Sequence, residues 1–171
     1  MQSILPEHLD VIQKAKFGAE IQGTWPVAKL ERFSELLLEN DGDLQAELKF
    51  RKLGHLRLID GNISAELKVT CQRCIQPMDL SLNIDFKLGL ICKEAQAEGI
   101  PEGYEPYLIE GDSENIPHML EEELLLAMPL VAMHEHDCSD YLQQQKQRQQ
   151  EEVNQQEEER ENPFSQLKDL L

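Results

Sequence analysis

Cys71 and Cys74 lie two residues apart in Val69-Thr70-Cys71-Gln72-Arg73-Cys74. A second group of donors follows about sixty residues later, in His134-Glu135-His136-Asp137-Cys138. A C-x2-C pair lets two thiolates reach one ion from a single tight turn, and further nitrogen and sulfur donors complete a tetrahedral site. The chemistry this predicts is structural metal binding, zinc by donor set, with Cys71, Cys74, His134 and Cys138 as ligands and His136 as a further donor. The spacing of the second group is not that of a standard knuckle. The plain alternative is therefore turn thiols beside solvated histidines. A redox dithiol is the other use of C-x2-C, but such a pair opens a helix after a strand, whereas here the next apolar run is itself a strand. Cys92 shares the parity of Leu88 and Leu90 and is expected to face the core as a small hydrophobe.

The second chemistry is phosphate contact. The chain carries 16 Lys and Arg against 33 Asp and Glu, net charge −17, so it cannot coat nucleic acid by bulk charge, and any contact must be local. The one stretch rich in cations runs from Lys49 to Lys87. Lys49 and Arg51 leave one face of a strand and Lys68 one face of another, with Arg73 inside the cysteine turn; these four are the candidate RNA contacts. The competing reading is the ordinary solvated face of a sheet. No G-x-S-x-G, Gly-rich phosphate loop or H-E-x-x-H is present, and His8, His55 and His118 stand alone, which argues against an enzyme.

The elements that must position these residues follow from period. Residues 27–39 carry Val27, Leu30, Phe33 and Leu37 at helical spacing behind Pro26, which predicts a helix ended by Asn40-Asp41-Gly42-Asp43. From Leu44 the period is two: Leu44, Ala46, Leu48 and Phe50 alternate with polar residues. Three further strands are predicted: residues 56–59, ended by a turn at Asp60-Gly61-Asn62, then 63–70, then 80–90. Short connections imply antiparallel neighbours. Residues 93–115 read as a long loop with one short strand at Tyr107-Leu108-Ile109. Residues 117–128 read as a helix with Glu121, Glu122 and Glu123 near its positive end, stopped by Pro129. Residues 139–161, rich in Gln and Glu, are expected to be disordered, because they have too little apolar surface to offset ordering. Residues 162–171 restore apolar residues behind Asn162 and Pro163, as a C-terminal docking segment would.

These patterns give an α+β fold with residues 1–138 as a single domain. An antiparallel β-sheet, a meander that stays open or curls toward a barrel, is flanked by two helices, and the linker 139–161 and segment 162–171 follow. Nothing near the N-terminus reads as a secretory signal, and no apolar run is long enough for a membrane span, so a cytoplasmic, non-membrane protein is expected.

Three stretches in order resemble the large ribosomal RNA subunit accumulation protein family, the YceD-like proteins. They are Val69 to Cys74 followed by Pro77, the block Glu121 to Val131 running into His134 and Cys138, and Asn162-Pro163-Phe164; Tyr104-Glu105-Pro106 is similar as well. The resemblance implies a non-enzymatic ribosome-biogenesis factor acting in synthesis, processing or stability of 23S ribosomal RNA. Its implied partners are large-subunit ribosomal RNA or a pre-ribosomal particle, with ribosomal proteins beside it. Relatives from other lineages carry extra cysteines after the second block, where this chain has histidines and acids. An acidic module that binds a basic ribosomal protein or assembly factor without touching RNA is the alternative.

Overall fold

In the computed structural model the described residues are 3–139, 147, 148 and 150. Five strands, β2 (Glu20–Pro26), β3 (Asp43–Leu53), β4 (Leu56–Thr70), β5 (Pro77–Ile91) and β6 (Glu105–Leu108), form one sheet in that order. The first four are an antiparallel meander, as the short connections require, and the sheet is open. β6 runs parallel to β5, which is possible because residues 92–104 supply the long crossover that a parallel pair needs. A separate pair joins β1 (His8–Asp10) to β7 (Ser113–Asn115).

Three helices, α1 (Val11–Phe17), α2 (Glu31–Ser34) and α3 (Ile116–Ala127), pack on one face of the sheet. The alternation read from residue 44 onward holds: Leu44, Ala46, Leu48 and Phe50 are buried against Val11, Phe33, Ile116, Met119 and Leu120 in one core. Each fully buried side chain of this size contributes about 1.5–3 kcal/mol of transfer free energy. Asn115 caps α3 by accepting from the His118 N–H, at 3.0 Å, and Pro117 sits in the first turn.

Several expectations need correction. The segment 27–39 is not one helix but a 3-10 turn at Val27–Lys29 and the single turn of α2, with Leu30 extended between them. Val27, Leu30 and Phe33 are still buried in the core, with Leu37 packed against it. Beyond Ser34 two more turn hydrogen bonds, from the Leu36 and Leu37 N–H groups, precede the point where Leu38 donates to the Lys68 carbonyl, at 2.8 Å, and Glu39 bridges Lys68. Asp60-Gly61-Asn62 is not a turn: β4 runs through it unbroken, with Gly61 opposite Phe86. A Cβ at Gly61 would lie 2.0 Å from Phe86 Cζ, so this glycine makes room for a ring. The actual turn is Gly54-His55, where Gly54 takes φ 61°. Residues 93–115 hold more than one strand: a 3-10 helix at Glu94–Gly99 packs Ile100 over Gly89, and β6 and β7 follow.

Cys92 is exposed rather than inward, because β5 ends at Ile91 and the chain turns away, with the Cys92 N–H donating to Gln96 Oε1. Glu121 is buried; its Oε1 accepts from the Phe33 N–H at 2.9 Å, tying α3 to α2. Of the stretch 139–161 only Ser139, Gln147, Arg148 and Gln150 are described, and the docking segment 162–171 lies outside the described residues. No helix among the described residues is long and apolar enough to cross a membrane.

Candidate metal centre

The cysteine turn is the loop at the tip of the hairpin between two fifteen-residue strands, whose last pair is Thr70 and Pro77. It is closed by backbone bonds from the Cys71 N–H to the Gln76 carbonyl and from the Ile75 N–H to the Cys71 carbonyl, both 2.9 Å. Ile75 is the one non-glycine residue among those described with positive φ, at 59°. A β-branched side chain there costs about 1–3 kcal/mol.

The partner segment arrives from α3. Met128 leaves the helix in extended conformation ahead of Pro129, as the clash with a following proline ring dictates, and the chain turns back toward the hairpin. The Gln72 N–H then donates to the Ala132 carbonyl at 2.8 Å, joining the two segments.

This joint brings the four predicted ligands together. Cys71 Sγ lies 3.7 Å from Cys138 Sγ, Cys74 Sγ lies 3.5 Å from His134 Nδ1, and all four donor atoms fall within 4.8 Å of one another. A tetrahedral zinc ion, with metal–sulfur bonds near 2.3 Å and a metal–nitrogen bond near 2.05 Å, demands sulfur–sulfur edges of about 3.8 Å and sulfur–nitrogen edges of about 3.6 Å. The Cys71–Cys138 and Cys74–His134 edges match, and the donor chemistry, three thiols and one imidazole, fits a closed structural site. Cys71 is fully buried, and the other three are half-buried.

The clustered thiols act on one another's protonation. Burial pushes the Cys71 thiol up, but the backbone N–H groups of Cys74, His134 and Arg73 and the neighbouring Cys74 side chain together outweigh it and bring Cys71 down to about 5. Burial raises Cys138 to about 11, helped by the sulfurs of Cys74 and Cys71, because crowded thiolates repel. A divalent cation held by these donors would reverse that repulsion and keep the thiols deprotonated. N–H groups aimed at a ligand sulfur are the outer-sphere support that metal thiolates use. His136 is not among the four clustered donors; its ring lies 4.9 Å from that of His134.

Arg73 stands in the same joint, donating to the His136 carbonyl at 3.1 Å and lying 4.0 Å from the Asp137 carboxylate. The other three candidate RNA contacts are on the exposed face of the sheet and are each paired with an acid. Lys49 bonds Glu47 at 2.9 Å, Lys68 bonds Glu39 at 2.8 Å, and Arg51 pairs with Asp60. The carboxylates raise the pKa of Lys49 and Lys68 through these hydrogen bonds. Tyr104 donates to Asp60 at 2.8 Å and accepts from Arg51 at 2.9 Å, which closes that pair further. Sequence reading missed the exposed apolar residues around the joint, Ile75, Leu126, Leu130, Val131 and Met133. The signal was the run Leu124 to Met133, too apolar for one helix face and a loop.

A family profile described as "Large ribosomal RNA subunit accumulation protein YceD" matches residues 59–171, which include both halves of the cluster. A protein of Haemophilus influenzae named "Large ribosomal RNA subunit accumulation protein YceD" is 30% identical over 173 residues, covering 99% of this chain and 98% of its own. No solved structure matches. With the profile spanning more than half of the chain, and a relative aligned along nearly all of it, this protein belongs to the YceD family.

Proposed function

We propose that this protein is a non-enzymatic cytoplasmic factor in the accumulation of 23S ribosomal RNA. In this reading a zinc ion on Cys71, Cys74, His134 and Cys138 clamps the hairpin tip to the segment after α3. The clamped joint then binds precursor ribosomal RNA or an assembly intermediate. The observation that carries the reading is the convergence of those four donors in a chain of this family. RNA contact would run through Arg73 at the joint, with Lys49, Arg51 and Lys68 beyond it on the sheet.

A second reading has its own support. Each of those four cations already has a carboxylate within 4.0 Å, which favours an acidic module that engages a basic ribosomal protein or assembly factor. In either reading, cells lacking the gene accumulate less 23S relative to 16S RNA, restored by the wild-type gene and not by Cys71→Ser; an unchanged ratio overturns the function. Titration of RNA affinity against salt separates the modes of contact. One to three phosphate contacts give a log–log slope of about −1 to −3, and a slope near zero removes direct RNA binding. A pull-down that survives nuclease identifies a protein partner.

A further inference from the structure

The hairpin tip and the segment after α3 present a collar of apolar side chains that the described fold leaves uncovered. Leu130 is 96% exposed, Leu126 75%, Ile75 69%, Val131 51% and Met133 41%. All five lie on the segments that meet at the joint: the Gln72–Ala132 hydrogen bond and the Arg73 contact to Met133 Sδ bring the loop that carries Ile75 against the segment that carries Met133, and Leu126 and Leu130 lie at the end of α3 and just beyond it. Monomeric proteins scatter single apolar residues on their surfaces but seldom gather several of this size, and a gathered group marks a contact site. Ile75 adds weight: it is β-branched in left-handed backbone and mostly exposed, so the free protein receives no packing in return.

Charge decides what covers the collar. Glu135 is exposed in the loop itself, and Asp137 beside it lies by Arg73, whose guanidinium is held by the His136 carbonyl. On α3, Glu122 precedes Leu126 by four residues and so shares its face. Glu122 also borders a groove of about 500 Å³ that Glu110 and Glu114 line with Tyr107, His8 and His118. His118 Nε2 lies 3.9 Å from Glu122, and neither Lys nor Arg is among the described lining residues, so carboxylates dominate the charge there; besides burial, Glu114 and Glu122 hold the Tyr107 phenol above its ordinary range. The face thus combines apolar anchors with carboxylates. Such a face favours a cationic chain over an RNA backbone, as the second reading above requires.

We infer that this collar, with the acidic groove beside α3, is a docking surface for a lysine- and arginine-rich polypeptide segment that carries apolar side chains on one side. The apolar residues seat on Leu126, Leu130, Val131, Met133 and Ile75, and the cations meet Glu110, Glu114, Glu122 and Glu135. The inference rests on the second reading above, an acidic module that engages a basic protein, and names the kind of segment it would hold.

The test uses the full, metal-loaded chain and a synthetic peptide of lysines and leucines with the leucines on one helical face, with oligolysine of equal length as control. Backbone amide shifts should concentrate at residues 75 and 126–135. The leucine peptide should bind about tenfold more tightly than oligolysine, and that margin should vanish in Leu126→Ser/Leu130→Ser. Glu122→Gln/Glu135→Gln should weaken both peptides and flatten their salt dependence. Metal content and circular dichroism unchanged in these variants exclude misfolding. Equal binding of oligolysine, shifts spread over the sheet, or shifts at these residues caused instead by a single-stranded RNA would each overturn the proposal. So would a dimer that Leu130→Ser dissolves, or shifts at 126–135 produced by Phe164→Ala alone, which would assign the collar to a second copy or to the chain's own end. Loss of the 23S phenotype in cells with intact peptide mapping sinks the function and spares the surface; the reverse result does the opposite.

Discussion

The outer face of the sheet and the joint at the hairpin tip both carry cations that sequence reading marked for RNA, yet they are built on different principles. Across the sheet, charges of alternating sign stand in register: Glu20 opposite Lys49, Lys49 opposite Asp60, Asp60 opposite Lys87, and farther along Lys68 opposite Asp79. Opposite charges directly across strands stabilise the pairing by a few tenths of a kcal/mol each, and every such pair uses charge the sheet would otherwise offer to a partner. The joint does the reverse. It crowds three thiols, holds an isoleucine in left-handed backbone and leaves five large apolar side chains in solvent. The sheet is complete in itself, whereas in the function proposed above the joint is completed by a cation and a partner.

The largest effect expected from breaking this contrast lies at the metal. Cys71→Ser removes the fully buried ligand, and zinc measured by elemental analysis of freshly purified protein should fall from one equivalent to near none. The melting temperature should fall by on the order of 10 °C, since metal binding to such a site is also folding free energy. Wild-type protein that purifies without metal and melts as Cys71→Ser does would end the zinc reading. Gly61→Ala strikes the other region. Its new methyl group collides with the Phe86 ring, which should cost about 1–3 kcal/mol in urea unfolding while leaving zinc content at one. Zinc loss in Gly61→Ala would show that the two regions are not independent.

The same contrast explains what was legible in the sequence. Strand parity was readable because a half-buried strand must alternate, and the donor cluster was readable because metal donors are few and their spacing is constrained. The turn misassigned at Asp60-Gly61-Asn62 has turn residues, but each has another use. Gly61 admits Phe86, and Asn62 Nδ2 donates to Asn83 and Asp85 on the neighbouring strand, at 2.9 and 2.8 Å. The helix expected at 27–39 is interrupted at the extended Leu30, and its far end is drawn to β4, which offers a carbonyl to Leu38, a long-range partner that local periodicity cannot see. Glu121 looked like a helix-dipole residue and proved to be a buried acceptor for α2. Pairing of the sheet cations was invisible for the same reason, since it depends on register.

Ile75→Gly sharpens the contrast by separating stability from binding. Glycine adopts φ 59° freely, so relief of strain should exceed its entropic cost and raise stability by about 0.5–1 kcal/mol in thermal or urea unfolding. Affinity for the lysine–leucine peptide should fall at the same time. A destabilised variant would mean that Ile75 packs in the free protein and that the left-handed turn is not strained.

The smallest effect concerns Glu123, on the acidic side of α3. Burial, together with Glu105 and Glu122, holds its carboxyl above the usual range. A folded-state pKa above the unfolded one means that the folded protein prefers the protonated acid, so the penalty is absent below the unfolded value and grows as pH rises through the folded one. Glu123→Gln should therefore raise the melting temperature slightly at neutral pH, and the difference should close as pH falls below the ordinary carboxylate range. A gain that persists at acidic pH would place its origin in packing rather than charge. The repulsion that a cationic partner relieves at this face would then be weaker than the local arrangement of glutamates implies.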